Sequence, residues 1–170
     1  MEGQWADRKG HRQQALLAAV YERAEYFNNK ATKVTMFSLL HFIYLRQKYR
    51  TVRIKIGSVW LNALVADTFV KSMIGLMFRK NIKQDECMLF IFKRPGSHSI
   101  WMKNMRFAID VMWLGKDMKI IEIIEGIQPC SRFHCETYGK SNDSMYFIEA
   151  NSGFVKRNGI KKGMAALIKM

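Results

Sequence analysis

The sequence predicts a mostly-β α+β fold: a small curled sheet or partial β-barrel with two short helices, preceded by an α-helical N-terminal extension. Beyond Thr51, short apolar runs of strand length recur between turn residues, and two segments have helical spacing. The first fifty residues show helical periodicity instead. A chain of 170 residues has room for one such domain and an extension. We therefore assign residues 1–50 to the extension and residues 51–170 to the domain.

The N-terminal extension contains two apolar segments. Residues 10–28 predict an amphipathic helix, because apolar side chains recur at helical spacing from Leu16 to Phe27. The run Val34 to Leu45 is about 12 residues, roughly 18 Å as a helix, and too short to cross a hydrocarbon core of about 30 Å. We expect this run to dock on the domain or on a partner. A membrane-surface segment with basic flanks, and a degenerate export signal or anchor, are the alternatives.

Strand patterns follow one another through the domain. Residues 52–56 and 59–66 form a predicted hairpin around Gly57-Ser58. Later strands are predicted at Met88–Phe92, His98–Lys103, Ala108–Leu114, Met118–Glu125, Ser144–Ala150 and Met164–Ile168. Short turns link most of them, which favours a mostly-β α+β domain.

Two helices are predicted within the domain. Asp67 or Thr68 can cap the first, which runs to about Phe78 and in which Gly75 indicates close backbone packing. Asn151 is predicted to cap the second, shorter helix. The backbone N–H groups after Asn151 could also bind an anion, and an ordinary cap is the simpler interpretation.

The chain is strongly basic, with a formal net charge of +14. Residues 1–50 hold nine Lys/Arg against four Asp/Glu, and residues 51–170 hold nineteen against ten, so the excess is not confined to a tail. Such a field attracts polyanions: nucleic acid, anionic lipid or phosphorylated ligands. The alternative is a general basic balance that aids solubility. We expect a cytoplasmic protein, or one peripheral at the membrane, in preference to an exported one.

The three cysteines bear on the redox state. Cys87 precedes an apolar strand and is predicted to fill the core. Cys130 and Cys135 lack the CxxC spacing of zinc and thioredoxin-like sites. We expect them to be reduced thiols. A small disulfide loop, and a metal site that includes His134, are the alternatives.

The most informative stretch is His98-Ser99-Ile100-Trp101-Met102-Lys103-Asn104. An aromatic ring, a cation and an amide lie together between two strand-like runs, as in a pocket with a few polar groups against an apolar wall. On a regular strand Trp101 and Lys103 share one face, whereas Asn104 lies on the other. His98 follows a Pro-Gly-Ser turn and is expected to be an exposed strand start, with a general base or metal ligand as the alternative.

Four further residues are candidates for the same site: Arg79, Asp110, Glu149 and Asn151. Arg79 ends the first predicted helix. Its guanidinium is expected to form a structural salt bridge to Asp110, Glu125 or Glu149, or to meet a ligand carboxylate or phosphate. Asp110 lies within an apolar strand, and a Lys103–Asp110 pair is the simplest structural answer. The functional alternative is an anion-binding or proton-transfer site near the strand ends.

An ordered set of motifs carries a family resemblance. Its members are Gly75-Leu76-Met77-Phe78-Arg79, Met88–Phe92, His98–Asn104, Asp110, Glu149–Gly153 and Gly159–Gly163. Over about residues 59–168 the chain resembles an uncharacterised family of bacteria and archaea called domain of unknown function 192. The resemblance implies a compact α+β domain with a small β-barrel-like sheet, and it implies no reaction. Many relatives resemble exported proteins at the N-terminus, where this chain has a charged amphipathic helix and a short apolar run.

The sequence contains no nucleophile elbow, P-loop, dinucleotide fingerprint, zinc pattern or close acidic pair, so we expect no cofactor and no metal ion. We expect a small ligand-binding or accessory domain for an anionic or sugar-like ligand. The pocket residues would be Arg79, Trp101, Lys103 and Asn104, with Asp110 and Glu149 as internal partners. One alternative is a small hydrolase or lyase that uses Asp110 or Glu149 with Lys103. The other is an RNA- or membrane-surface-binding module driven by the positive charge.

Overall fold

The computed structural model describes residues 41–42, 44–131, 135–139 and 141–169. The predicted helix over residues 10–28 and most of the apolar run over residues 34–45 lie outside these ranges. The chain divides into two compact units, Met1–Gln47 and Lys48–Met170. In the first unit residues 41, 42 and 44–46 are helical. Within the described ranges, no helix combines the length and the apolar character needed to cross a bilayer.

The second unit consists mainly of β-strands. They are β1 (Thr51–Ile56), β2 (Val59–Ala66), β3 (Glu86–Gly96), β4 (Ile100–Trp101), β5 (Ile109–Leu114), β6 (Ile120–Ile127), β7 (Thr137–Tyr138), β8 (Ser144–Asn151) and β9 (Ala166–Lys169). Two short helices, α1 (Phe69–Ile74) and α2 (Phe154–Arg157), complete the unit. The prediction of a mostly-β domain that opens with a β1–β2 hairpin is therefore confirmed.

Seven strands form one sheet in the order β6-β5-β8-β3-β2-β1-β9. Only the β2–β3 pair is parallel, and α1 lies in the connection between them because parallel strands cannot be joined by a tight turn. The two edges of the sheet meet where Lys119 bridges Ala165 and where the Ile120 N–H donates to the Met164 carbonyl at 2.9 Å. The sheet is therefore curled into a half-barrel, as predicted. Strands β4 and β7 pair separately.

Side chains of the half-barrel alternate between an inner face and an outer face. The inner face holds an apolar core that includes Ile54, Val65, Leu89, Met112 and Ile148. Outer-face residues of β3, β5 and β8 pack under the segments 76–82 and 100–105 and form a second core. The outer face of β1 and β9 carries mostly exposed side chains instead. The outer face is therefore covered at β3, β5 and β8 and open to solvent at β1 and β9.

Two predicted elements are shorter in the structure than in the sequence-based prediction. Helix α1 begins after its predicted cap Thr68, whose hydroxyl accepts from the Lys71 N–H at 3.3 Å, and it ends at Ile74. It does not reach Phe78, because Gly75 adopts φ +50° and turns the chain. The predicted strand His98–Lys103 contracts to β4, since only those two residues find a partner strand in β7.

The cysteines differ from the prediction in part. Cys87 is fully buried on the inner face, as predicted. Cys130 and Cys135 are joined by a disulfide, so the expectation of reduced thiols is wrong. Their Cα atoms are 5.8 Å apart, which is within the range that a disulfide requires.

Candidate functional site

A buried carboxyl group lies on the outer face of the sheet. Glu149 is opposite Met88 and Val111 in the strand register, and only 6% of its surface is exposed. Among the described residues its Oε2 atom has no hydrogen-bond partner. Burial raises the pKa of the carboxyl group to about 8, since removal from water disfavours the charged form. At neutral pH Glu149 is therefore mainly a neutral acid that can donate a hydrogen bond.

Gly75 covers this carboxyl group. A Cβ atom at Gly75 would lie 3.2 Å from Phe90 Cζ and 3.8 Å from Glu149 Oε2. Its φ of +50° with ψ of −130° belongs to a region that glycine reaches without steric cost. Glycine is thus favoured at this position both by its backbone conformation and by close approach, and the sequence predicted the close approach.

The turn after Gly75 is tied to the end of the most informative segment. The Phe78 N–H donates to the Asn104 carbonyl at 3.0 Å, and both residues have left-handed backbones, with φ of 65° and 58°. A positive φ is unusual for a bulky residue such as phenylalanine and costs of order 1–3 kcal/mol. The Asn104 amide lies 3.9 Å from Met77 Sδ. Two uncommon turns are therefore joined next to the buried carboxyl group.

Arg79 ends this turn. Its guanidinium lies over the Tyr49 ring, with 5.6 Å between Cζ and the ring centroid. Its Nε atom is buried and has no hydrogen-bond partner among the described residues. The described part of the chain contains no ion pair of Arg79 with Asp110, Glu125 or Glu149, so the predicted salt bridge is wrong. The cation is held by an aromatic ring instead, which leaves hydrogen-bond donors unused.

Asp110 has a structural role. It is opposite Ala150 in the register, so it points to the inner face, whereas Glu149 points to the outer face. Its Oδ1 accepts from the Gly126 N–H at 2.9 Å and its Oδ2 accepts from the Val155 N–H at 3.0 Å. The second bond satisfies a free backbone donor at the start of α2.

The predicted helix cap at Asn151 is wrong. Asn151 is the last residue of β8, and its amide donates to the carbonyls of Ile82 at 3.1 Å and Lys83 at 2.9 Å. Gly153 occupies the cap position of α2 without a side-chain hydrogen bond. The sequence predicted Asn151 as the cap because Asn151 lies shortly before α2 in the chain. The side chain that accepts a hydrogen bond from the start of α2 is Asp110, which belongs to the distant strand β5.

His98 is half-buried and precedes β4, so the prediction of an exposed strand start is wrong. Its ring stacks on Phe92 with centroids 3.6 Å apart, and its Nε2 lies 3.2 Å from the Arg94 carbonyl. Burial lowers the pKa of the imidazole. The His98 carbonyl accepts from Trp113 Nε1 at 2.6 Å, so the residue fixes a loop against the outer-face core.

The predicted alternation of Trp101 and Lys103 against their neighbours is found, because both are half-buried whereas Met102 is 1% exposed. Trp101 pairs with Thr137 of β7, and the Lys103 backbone bridges to Cys130. Asn104 departs from the strand pattern because its backbone is left-handed.

The structure therefore brings three of the eight predicted site residues, Arg79, Asn104 and Glu149, to the 75–79 turn. Trp101 and Lys103 belong to the adjoining segment, whereas His98, Asp110 and Asn151 make the separate contacts given above. Sequence reasoning missed Tyr49, which was assigned to the extension. This residue lies between two basic residues with no apolar periodicity to indicate that its ring packs against the outer-face core.

Two solved structures are similar to this chain. One is a Sinorhizobium meliloti protein described as a candidate transcription regulator, with a TM-score of 0.67 and 25% identity, covering 72% of this chain and 97% of that one. The other is a protein of unknown function from Novosphingobium aromaticivorans, with a TM-score of 0.67 and 22% identity, covering 72% of this chain and 88% of that one. The second likeness concerns the fold alone.

Sequence comparison gives a consistent result. The chain is 26% identical over 108 residues to the UPF0127 protein TK1120 of Thermococcus kodakarensis, which is 63% of this chain and 65% of that protein. This chain thus spans just under two thirds of the relative's length. The model of the DUF192 family, described as uncharacterized ACR, matches residues 50–168. Because that match covers well over half of the sequence, the chain belongs to the domain of unknown function 192 family.

Proposed function

We propose that the domain binds a small anionic or sugar-like ligand at the 75–79 turn, through the Arg79 guanidinium and the neutral Glu149 carboxyl group. The observation that carries the proposal is the pair of buried polar atoms, Arg79 Nε and Glu149 Oε2, that lack hydrogen-bond partners among the described residues. Each such group costs about 1–3 kcal/mol when left unsatisfied. A ligand that satisfies both would recover part of this cost.

The chemistry of the two groups defines the ligand class. Arg79 offers only donors, so it requires acceptor oxygens such as those of a carboxylate, phosphate or hydroxyl group. Glu149 at neutral pH offers an O–H donor, which suits an anion or a sugar hydroxyl, and a carbonyl acceptor, which suits a hydroxyl. A positively charged ligand fits less well, because the guanidinium would repel it.

Asn104 and Lys103 are the proposed flanking contacts, since the Asn104 carbonyl is hydrogen-bonded to the residue next to Arg79. Trp101, His98 and Asn151 are kept as more distant candidates. The joined left-handed turns at Phe78 and Asn104 support a functional role for this corner, because strained backbone conformations cluster at binding sites.

A hydrolase or lyase that uses Asp110 or Glu149 with Lys103 is the alternative, and it has less support. Asp110 and Glu149 point to opposite faces of the sheet, and both Asp110 oxygens already accept backbone hydrogen bonds. Asp110 is held by two backbone N–H groups, and Glu149 is mainly protonated at neutral pH, so neither carboxyl group is well suited to act as a general base beside Lys103. We therefore favour binding over catalysis.

The test is a thermal-shift and calorimetry screen of the full chain with glucose 6-phosphate, citrate, acetate and glucose. A ligand of this site should lose at least about tenfold in affinity in Arg79→Gln. Glu149→Gln keeps a neutral donor and should retain most of the affinity. Arg106→Gln is the matched control, because Arg106 is an exposed arginine two residues beyond Asn104. Full binding in Arg79→Gln, or no binding of any probe to the wild type, would overturn the proposal.

The location of the protein and the role of its N-terminal apolar run are separate from this ligand site. We propose that the protein is cytoplasmic or peripheral at the membrane, and that the apolar run of residues 34–45 docks on the domain or on a partner. Fractionation of the full chain, compared with a chain that begins at Lys48, tests both points. Recovery of the full chain in the soluble fraction without any partner would contradict a membrane or partner role for the run.

A further inference from the structure

A second surface lies on the uncovered part of the outer face. The register pairs Arg53 with Lys169, and Lys55 with Leu167, so all four side chains share this face. On the other side of β1, Arg53 is opposite Asn62 and Lys55 is opposite Trp60. We call Arg53, Lys55, Trp60, Asn62, Leu167 and Lys169 the β1 platform.

The β1 platform has an excess of positive charge. Arg53, Lys55 and Lys169 have no acidic partner within the described residues, and the ion pairs of this region join Asp67 to Arg50 and Lys71. Two acidic groups lie at the border toward β3: Asp85, which accepts from the Asn62 amide at 3.0 Å, and Glu86, which is opposite Asn62 in the register and pairs with Lys83 at 3.6 Å. Three uncompensated cations on the two adjacent strands β1 and β9 create a local field that attracts an anion.

Two of the cations, Arg53 and Lys55, lie over the ring of Trp60. Trp60 is 37% exposed, with Arg53 Cζ 4.8 Å and Lys55 Nζ 5.9 Å from its ring centroid. A shallow groove beside it is lined by Arg50, Thr51, Val52, Arg53 and Lys169. The face therefore combines an aromatic ring with cations from both β1 and β9.

We propose that the β1 platform binds single-stranded nucleic acid, with a base on Trp60 and the phosphate backbone along Arg53, Lys55 and Lys169. Stacking on an aromatic ring within a basic groove is how sequence-tolerant single-strand binders obtain affinity. The Asn62 amide adds a polar contact at the edge of the ring. This site is independent of the ligand site at the 75–79 turn, which lies on the covered part of the outer face.

The composition of the face favours a nucleic acid over a lipid surface. Trp60 and Leu167 are the large apolar side chains on it, and cations lie over the Trp60 ring. Insertion into a bilayer interface is driven by buried apolar area, which two separated side chains supply poorly. A base needs only one π face and nearby cations, and Trp60 supplies that face when the Arg53 guanidinium moves from above the ring to a phosphate.

The experiment is fluorescence anisotropy of the full chain with labelled oligothymidylate and oligouridylate of about 12 nucleotides, at several salt concentrations. The variant R53A/K55A should weaken binding at least about tenfold and reduce the salt slope by about 1.4, since each phosphate contact on a single strand contributes about 0.7. Trp60→Ala should weaken binding about tenfold without changing the slope. Trp60→Phe should restore most of the affinity.

The matched control is K93A/R94A, which removes the same two residue types from an exposed part of β3. That position is roughly 23 Å along the strand from the residue paired with Asn62. An equal loss of oligonucleotide affinity in K93A/R94A would overturn the proposal, because binding would then follow net charge alone. Circular dichroism of each variant tests whether it is folded. If Trp60→Ala does not fold, the comparison of R53A/K55A with the control still decides the question.

A second arm uses vesicles of phosphatidylcholine with and without phosphatidylserine. Binding to oligonucleotides that depends on the platform supports the proposal. Platform-dependent binding to phosphatidylserine vesicles without binding to oligonucleotides would overturn it in favour of a membrane surface. Absence of binding to either probe would also overturn it.

Discussion

Asp110 and Glu149 lie on the neighbouring strands β5 and β8, yet their carboxyl groups point to opposite faces of the sheet. Asp110 is opposite Ala150 and Glu149 is opposite Val111, so the two acids are offset by one residue in the strand register. Asp110 accepts two backbone hydrogen bonds on the inner face, whereas Glu149 Oε2 is buried without a partner among the described residues. One carboxyl group thus stabilises the fold through backbone hydrogen bonds, and the other is the buried group on which the proposed ligand site rests.

The contribution of Glu149 to the stability of the wild type should fall as the pH rises from about 4.5 to 8. The pKa of Glu149 is about 8 in the folded protein, against 4.5 in the ordinary group, so in this window only the folded state keeps the proton. Each pH unit should cost about 1.4 kcal/mol of unfolding free energy from this group. Urea denaturation at a series of pH values measures it.

Glu149→Gln isolates that contribution. The variant cannot ionise here, so the difference in unfolding free energy between wild type and variant should change by about 1.4 kcal/mol per pH unit within the window. At pH 8 the variant should be the more stable protein. The pKa of His98 is lowered, which makes stability fall toward acid pH, but this effect is common to both proteins and cancels. A difference that is flat with pH would refute the assignment.

Asp110→Ala should destabilise the domain by roughly 2–4 kcal/mol. The substitution removes the acceptor for the Gly126 and Val155 N–H groups and leaves two backbone donors unsatisfied. Asp110→Asn keeps one acceptor and should lose less. Asp117→Asn, in an exposed turn where the side chain accepts from the Lys119 N–H, is the control and should change little. Chemical denaturation compares the three, and equal effects at the two positions would contradict this role.

Gly75→Ala should be more harmful than Gly159→Ala. Both glycines have positive φ, of 50° and 60°, so both substitutions strain the backbone. A Cβ at Gly75 also meets Phe90 Cζ at 3.2 Å, whereas nothing lies within 4 Å of one at Gly159. The additional loss of stability measures the close approach over Glu149, and an equal loss in both variants would mean that backbone strain alone is responsible.

Thiol titration checks the disulfide. Three cysteines are present, and Cys130 and Cys135 are joined, so the unreduced protein in denaturant should show one reactive thiol, that of Cys87. Without denaturant that thiol should react slowly, because Cys87 is buried and burial raises its pKa. Reduction should then give three thiols in denaturant. Three reactive thiols before reduction would contradict the bond.

The local sequence determines much of this domain. Alternating residues in β1 and β2 around Gly57 specify a hairpin, because side chains of a strand alternate between faces. Thr68 as cap and Gly75 as the point of close packing follow from the same kind of local rule, as does the burial of Cys87. The motifs that carry the family resemblance are also local, and the family match over residues 50–168 confirms them.

The tertiary structure alone decided which polar groups are satisfied. Whether Asp110 caps α2 and whether Arg79 finds an acid or the Tyr49 ring depend on strand register and on how distant segments pack. The spacing of Cys130 and Cys135 likewise did not reveal that they are bonded. These contacts join residues distant in sequence or depend on turn geometry that composition does not reveal. Periodicity gives the face on which a side chain lies, whereas its partner is set by the element packed against that face. For the same reason, the sequence identified the 98–104 segment, but only the fold showed that its end meets the turn over Glu149.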